Sequence, residues 1–228
     1  MLEIPRLDKS VLEGYRALGD LTGTVSDAMD QCGIAGVIPA SVLRPTDPKA
    51  RLVAQALTVL NRRIERSVAD AVAGKRSGLA DIEAHNLAEP GDVLVIQGAA
   101  GVSSMGGVMA SVGKRQGEAG AIVDGAVRDI DHSREIGYPV WSTSVSPMTG
   151  KWRLETVGIN KTVVVGGFYV RPGDLVIADE VGVCFVPFAR AEEVLAVAQR
   201  LAAAEAQRLE RLASGIPLSE FVAVPRKD

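Results

Sequence analysis

The order of apolar runs between residues 93 and 144 constrains the fold more than any other feature. VLVIQG (93–98), AIVDG (121–125) and PVWSTS (139–144) are predicted strands, and the first two have the continuous apolar character of strands buried on both faces. Segments with helical patterns, 103–117 and 127–137, separate them. The alternation of strand and helix predicts a parallel sheet with right-handed crossovers.

The pattern changes after residue 150. Residues 161–187 consist of short apolar segments split by glycine-rich turns, which is typical of antiparallel strands. A long helix is predicted from Ala189 to about Ala213, and it makes up the C-terminal segment 189–214. Its apolar residues lie on more than one face, so we expect a second subunit to cover it: Val194, Leu195, Val197, Leu201 and Leu209. Because no Pro/Ser-rich linker separates the two patterns, residues 1–228 are predicted to form one domain.

Three further elements are predicted before residue 90. Thr24 is placed to cap a helix that Gly33 ends. Residues 51–60 form a buried strand. Residues 61–86 are polar and helix-prone, with a surface loop at 74–78.

Composition excludes several classes of function. Lys and Arg number 25 against 28 Asp and Glu, so the chain lacks the basic field that nucleic-acid binding needs. Two histidines cannot build a multi-histidine zinc site, so any metal must use oxygen ligands. Walker, GxSxG and GxGxxG motifs are absent, which leaves nucleotide-triphosphate, serine-hydrolase and nicotinamide chemistry without support. With no apolar run of 18 residues, no apolar leader at the N-terminus and two unpaired thiols, we expect a cytoplasmic protein without a membrane span.

One dense group of residues remains as a candidate site. Gly106 and Gly107 begin a helix after strand 93–98, and Arg128 and Asp129 follow the next strand. Since ligands bind at the carboxyl ends of parallel strands, the two pairs are expected to meet. Free amides at the helix start can hold a carboxylate, Arg128 can bind a carboxylate or carbonyl oxygen, and Asp129 suits Mg²⁺ or Mn²⁺. Together they describe a site for a 2-oxo acid. Taken singly, the glycines could serve only close packing, and Arg128 with Asp129 could be a solvated surface pair.

Other polar residues are weaker candidates. His132 is either a general base or, as we favour, a surface residue. Asp124 is expected to cap a turn, His85 has no evident partner, and Cys32 and Cys184 belong to the core.

Five blocks of sequence resemble the RraA-like family, and the resemblance runs from about Thr24 to Pro187. They are GDVLVIQG (91–98), MGGVMA (105–110), GAIVDGAVRD (120–129), GYPV (137–140) and VRPGDLVIADEVGVCFVP (170–187). Arg128 follows Gly106 by 22 residues, the family's own interval. The family is named after regulator of ribonuclease E activity A, and its catalytic members are class II pyruvate aldolases that split 4-hydroxy-4-methyl-2-oxoglutarate and 4-carboxy-4-hydroxy-2-oxoadipate.

The resemblance implies a fold, a quaternary structure and residue roles. The fold is the swivelling β/β/α type of the α/β class, a parallel sheet layered against antiparallel strands with helices outside, and the assembly is a homotrimer or hexamer. Arg128 would contact the substrate carbonyl and the enolate oxygen, and Asp129 would be the direct metal ligand. The pyruvyl carboxylate would be held by backbone amides of Gly106, Gly107, Val108 and Met109.

The chain departs from the family pattern in two places. Characterised aldolases of this kind carry an acidic residue where Gly107 stands, and a further acid reaches the site from a neighbouring subunit's C-terminal helix, for which Glu205 is the best match. The 61–78 segment is longer than usual. It is either substrate-facing or a plain surface loop, and we favour the loop.

The resemblance implies a divalent-metal-dependent lyase that releases pyruvate from a 4-hydroxy-2-oxo acid or decarboxylates a 2-oxo acid such as oxaloacetate. No residue stands out in the sequence as the base for the 4-hydroxyl proton. The alternative is a non-catalytic protein that binds and inhibits a ribonuclease, as the family's namesake does.

Overall fold

The apolar runs of the sequence form strands, and the computed structural model describes them within residues 4–75 and 77–221. The strands are β1 Val37–Pro39, β2 Arg44–Pro45, β3 Leu52–Arg63, β4 Val93–Gln97, β5 Ser103–Met105, β6 Gly120–Val127, β7 Val140–Val145, β8 Leu154–Ile159, β9 Val163–Val165, β10 Phe168–Val170, β11 Leu175–Ala178 and β12 Gly182–Val186. The helices are α1 Lys9–Arg16, α2 Thr22–Gln31, α3 Val68–Ala73, α4 Asp81–Leu87, α5 Gly107–Gln116, α6 Ile130–Glu135, α7 Ala191–Ala213 and α8 Leu218–Phe221, with a 3₁₀ turn at Phe188–Arg190 before α7.

Ten strands form one mixed sheet. Its order is β1-β12-β11-β3-β4-β6-β7-β2, with β5 added to β6 and β8 added to β3. The neighbours β3, β4, β6 and β7 run parallel, which confirms the crossover topology expected from the sequence. Strands β11, β12 and β1 continue the sheet in antiparallel order, and β9 with β10 forms a separate hairpin.

Strand β3 joins the parallel and antiparallel parts of the sheet. Its first residues, 52–55, pair antiparallel with β11. Residues 56–60 pair parallel with β4, and residues 59–63 pair antiparallel with β8. The α/β class and the combination of parallel and antiparallel strands expected from the sequence are thereby confirmed, with one long strand common to both parts.

The core lies on both faces of the sheet, which explains the continuous apolar strands. On β4, Val93 and Val95 pack into one apolar cluster, whereas Leu94 and Ile96 pack into another beneath α4 and α5. A third cluster lies between the antiparallel strands and the helices α1, α2 and α7.

The prediction that Thr24 caps the first long helix is wrong. Helix α2 begins at Thr22, and Thr24 is buried within it. Asp179 supplies the cap: its Oδ2 accepts from the Thr22 amide at 3.0 Å and its Oδ1 from the Thr22 hydroxyl at 2.6 Å. Because this cap comes from the opposite end of the chain, local sequence could not reveal it.

Several predicted boundaries move because strands gain tertiary partners. Strand β3 continues to Arg63 against β8, and two short helices, α3 and α4, replace the helix-prone 61–86 segment. Residues 103–105 form a strand, so the helix begins at Gly107; it ends at Gly117 as predicted, with φ of 80°.

Helix α7 packs on α1 and α2 through its N-terminal half. Ala191, Val194 and Ala198 are buried there, while Leu209 in the C-terminal half is 58% exposed. Of the five apolar residues expected to need a second subunit, four pack in this chain's own core, which corrects that expectation: Val194 is buried, and Leu195, Val197 and Leu201 are partly buried against the same cluster. Leu209 is the exposed member of the five. Among the described residues, no helix combines the length and apolar character that a membrane span requires.

Candidate active site

A cleft of about 710 Å³ opens beside the ends of β5 and β6. Three segments contribute to its wall, within 77–83, 103–109 and 149–151, together with the side chain of Arg128. The sequence predicts no role for residues 79–83 and 149–151, and for the 61–78 segment it favours a surface loop over a substrate-facing one.

Parallel pairing of β5 with β6 brings the glycine pair to Arg128. Met105 is opposite Val127, so the residues that follow each strand are adjacent. The Arg128 amide donates to the Met105 carbonyl at 3.1 Å. Arg128 thus lines the same cleft as Gly106, Val108 and Met109.

Gly106 leaves the space that Arg128 and Asp129 occupy. A Cβ atom at position 106 would lie 2.8 Å from Asp129 Oδ2 and 2.9 Å from Arg128 Nε. Both contacts are shorter than real Cβ atoms tolerate. A side chain at position 106 would therefore force Arg128 and Asp129 to shift from these positions.

Asp129 is held in place by Gly107. The Gly107 amide donates to Asp129 Oδ2 at 2.9 Å, and Arg128 Nε lies 3.5 Å from the same oxygen. Asp129 adopts a left-handed conformation, with φ of 54°, an uncommon choice outside glycine that occurs often at functional sites. The side chains of Arg128 and Asp129 are 44% and 49% exposed, so the pair is partly solvated but fixed in geometry.

The amides of Val108 and Met109 remain free at the start of α5. Neither meets an acceptor among the described residues, as expected in the first turn of a helix. The Gly107 amide, in contrast, is already bonded to Asp129. The Gly106 amide likewise has no acceptor among the described residues, so the amides of Val108 and Met109 in the first turn of α5, with that of Gly106 before it, are available for an anion.

Asp129 is the carboxylate at this site that could coordinate a metal ion. Its Oδ2 is engaged, and the described residues provide no contact to Oδ1. Within 4–75 and 77–221 no group of three or more His, Cys, Asp or Glu side chains is placed to hold an ion. Mg²⁺ is commonly bound by one or two carboxylates, with water and substrate as the other ligands. The single carboxylate of Asp129 is the smaller of these two numbers and fits such a site.

His132 stands beside Gly107 and outside the cleft wall. Its Nε2 lies 2.8 Å from Ser111 Oγ, which itself donates to the Gly107 carbonyl at 3.0 Å. A Cβ atom at position 107 would lie 3.0 Å from His132 Cδ2. The imidazole therefore adjoins the space in which the resemblance expects an acidic side chain, and its surface location agrees with the interpretation we favoured.

Sequence reasoning missed Asp81 and Lys151, which both line the cleft. Burial raises the pKa of Asp81 to about 6. No pattern could have identified these residues, because only tertiary packing brings them to Arg128. Of the 61–78 segment, interpreted as a surface loop, Ser77 also lines the cleft, while the rest includes the end of β3 and the whole of α3.

The other candidates lie elsewhere. Glu205 is on the exposed half of α7, in a separate cleft with Asp20 and Asp27, so this chain does not bring it to Arg128. Asp124 does not cap its own turn, since its Oδ2 accepts from the Gly166 amide at 2.9 Å and joins β6 to the β9–β10 hairpin. Cys184 is buried and Cys32 partly buried, as core residues should be.

The expectation that His85 has no partner is wrong. Its Nδ1 lies 2.7 Å from Glu118 Oε1, and the Tyr138 hydroxyl donates to Glu118 Oε2 at 2.7 Å. All three side chains are buried, and burial raises the pKa of Tyr138 well above its ordinary value. His85 and Glu118 are 33 residues apart, so local sequence does not predict their contact.

Sequence comparison shows which protein family the chain resembles. Residues 22–185 match the model of the RraA-like family, described as Aldolase/RraA. A protein of Halalkalibacterium halodurans with the provisional name 4-hydroxy-4-methyl-2-oxoglutarate aldolase is 30% identical over 197 residues, which is 86% of each chain.

Two solved structures share the fold over nearly the whole chain. An uncharacterised protein of Pseudomonas syringae superposes with a TM-score of 0.80 at 26% identity, covering 95% of this chain and 98% of that one. Streptomyces coelicolor RraAS2, described as an unusual member of the RNase ES inhibitor RraA protein family, superposes with a TM-score of 0.72 at 26% identity, covering 93% and 99%.

Proposed function

The chain belongs to the RraA-like family, and on that premise we propose that it is a divalent-metal-dependent lyase that releases pyruvate from a 4-hydroxy-2-oxo acid. A substrate of the 4-hydroxy-4-methyl-2-oxoglutarate type agrees with the name of the Halalkalibacterium relative. Decarboxylation of oxaloacetate, which forms the same enolate, belongs to the proposal.

The observation that carries the proposal is the position of Arg128 beside two free amides. The amides of Val108 and Met109 can hold the carboxylate of a 2-oxo acid at the start of α5. Arg128 lines the same cleft and can donate to the neighbouring carbonyl oxygen. Hydrogen-bond donors are therefore available both to the carboxylate of a pyruvyl group and to its adjacent carbonyl oxygen.

Cleavage of the C3–C4 bond places negative charge on the carbonyl oxygen of the pyruvyl group. The Arg128 guanidinium stabilises that charge most where it is greatest, in the transition state and the enolate. A bound Mg²⁺ or Mn²⁺, which Asp129 would hold, supplies Lewis-acid polarisation of the same oxygen. Gly107 contributes by fixing the Asp129 carboxylate through its amide.

Pyruvate release over a panel of 4-hydroxy-2-oxo diacids and oxaloacetate, with and without Mg²⁺, tests the proposal. We expect Arg128→Lys to lose about 10²-fold or more in kcat, because a lysine cannot reproduce the planar pair of donors. Asp129→Ala should abolish metal-dependent turnover while the protein stays folded. Arg115→Lys, on the exposed side of α5, is the matched control and should behave as wild type.

The alternative is a ribonuclease-binding protein without catalysis. Two observations favour it: position 107 lacks an acidic side chain, and the structurally similar Streptomyces RraAS2 is described as a member of an RNase ES inhibitor family. It predicts no pyruvate from any substrate, no effect of EDTA, and inhibition of ribonuclease E that Arg128→Ala leaves unchanged.

A further inference from the structure

Two carboxylates of the cleft, Asp81 and the exposed Glu83, have no part yet in the proposed function, and Asp81 is the more buried of the two. It is the first residue of α4, and it lines the cleft together with Arg128. Its side chain is partly buried, and no hydrogen bond or ion pair reaches its carboxylate from the described part of the chain. A desolvated carboxylate without a partner is unusual, because burial of a charge costs free energy unless it is compensated.

The backbone around Asp81 is fixed at both ends of α4. Before it, Thr156 Oγ1 accepts from the Ala80 amide at 2.9 Å, and the Thr156 amide donates to the Gly78 carbonyl at 2.8 Å. After it, His85 contacts the buried Glu118. Strand β8 and the core thus hold Asp81 in a defined position, as a catalytic acid or base requires.

We propose that Asp81 is the general base and acid of the lyase, moving one proton from the substrate's 4-hydroxyl to C3 of the departing enolate. This inference rests on the proposed lyase function. It supplies the base that sequence analysis could not identify.

The proton and electrons balance in two steps. Asp81 takes the proton of the 4-hydroxyl, the O–H electron pair becomes the C4=O bond, and the C3–C4 pair moves to form the enolate of pyruvate. The neutral Asp81 then returns the proton to C3, which becomes the methyl group, and the carboxylate is regenerated. No external acid, base or oxidant is needed.

The electrostatic surroundings suit this role near neutral pH. Burial is the main cause that raises the pKa of Asp81 to about 6, with a smaller contribution from Glu83, while His85 lowers it. Glu118 faces His85, and Arg128 and Lys151 are the cations of the cleft. At pH 7 the carboxylate is mostly ionised yet accepts a proton readily, which is the optimum for a general base.

The decisive experiment compares two reactions in Asp81→Asn. Retro-aldol cleavage needs a base to remove the 4-hydroxyl proton before the C3–C4 bond breaks, whereas decarboxylation of oxaloacetate reaches the same enolate by losing CO₂ and needs none. Because oxaloacetate delivers no hydroxyl proton to Asp81, its enolate takes the C3 proton from solvent. We expect kcat for cleavage to fall about 10²- to 10⁴-fold, and the rate of oxaloacetate decarboxylation to change less than about 10-fold. Asp30→Asn makes the same chemical change at an exposed residue of α2, outside the cleft, and should leave both rates unchanged.

The pH profile gives a second test. Wild-type kcat for cleavage should decline below about pH 6, and Asp81→Asn should lose that limb. Unfolding in denaturant adds a measurement that does not depend on activity. Because the folded state disfavours the ionised carboxylate, wild type loses stability relative to Asp81→Asn as pH rises from about 4 to about 7.

The outcomes separate the two proposals. Equal loss of both reactions, or unchanged cleavage, in Asp81→Asn would overturn the role of Asp81 and leave the lyase standing. No pyruvate from wild type with any substrate would overturn the lyase, and the role of Asp81 with it.

Discussion

At the scale of single residues, Gly106 decides whether the site can assemble. Its φ of −139° is open to any residue, so a methyl group at this position acts only through space. That methyl would displace Asp129 Oδ2 and Arg128 Nε, and misplacement of catalytic groups by about 1 Å can cost 10²-fold in rate. We therefore expect Gly106→Ala to lose about 10²-fold in kcat for pyruvate release with little change in melting temperature.

Gly19→Ala is the matched control, because a Cβ atom there meets nothing within 4 Å. Wild-type turnover in Gly106→Ala would show that the positions of Arg128 and Asp129 do not govern the rate.

The residues of the site differ in how far the sequence predicts them. Gly106 and Arg128 could be placed together because each follows a strand of one parallel sheet, and strand order sets that proximity. Asp81 could not, since it reaches the cleft only when α4 packs on α5 and β8 fixes the preceding turn. The residue type of Asp129 suggests a metal ligand, which stays a prediction, and its left-handed backbone and its bond to the Gly107 amide are features that no sequence pattern predicts.

At the scale of elements, the contact of His85 with Glu118 attaches α4 to the core. The Tyr138 hydroxyl supplies Glu118 with a second donor, so Tyr138→Phe leaves a buried carboxylate oxygen underpaired. We expect the free energy of unfolding to fall by about 1–3 kcal/mol, measured by urea denaturation. Tyr169→Phe, at a residue that is 77% exposed, should change it by less than about 0.5 kcal/mol. Equal stability of the two variants would mean that Glu118 needs only His85.

The elements themselves were largely predictable, and their ends were not. The parallel strands follow from apolar runs, and Gly117 ends α5 because glycine accepts the left-handed conformation. Strand β3 extends three residues past its predicted end because β8, about 95 positions later, provides hydrogen-bond partners. Such tertiary pairing decides where the strand ends, whatever the local secondary-structure propensity, and the local sequence does not predict it.

At the scale of the whole molecule, the exposed half of α7 predicts an assembly. Leu209 and Leu212 of α7 and Leu218 of α8 are exposed in the single chain, and a second copy of the chain would cover such residues. Sedimentation should give three or six times the monomer mass of 23.9 kDa. A species near 23.9 kDa at micromolar concentration would contradict both the assembly and a shared site.

Mixing two inactive variants tests whether Glu205 completes a neighbour's site. If Asp129 and Glu205 of different subunits act together, Asp129→Ala and Glu205→Gln chains should regain part of the activity when they are refolded together. Separate refolding followed by simple mixing is the control, and persistent inactivity of the co-refolded protein would assign Glu205 to its own chain alone.

The apolar cluster around α1 and α2 has a consequence for synthesis on the ribosome. Its N-terminal members, such as Val11 and Tyr15, share the cluster with Leu175, Val186 and Ala198, which are translated more than 150 residues later. At about 5–20 residues per second, the first helices wait roughly 10–30 seconds for the surface that covers them. A nascent chain of this protein therefore carries an uncovered apolar segment through most of its translation, and chaperones that bind at the exit tunnel would meet that segment first.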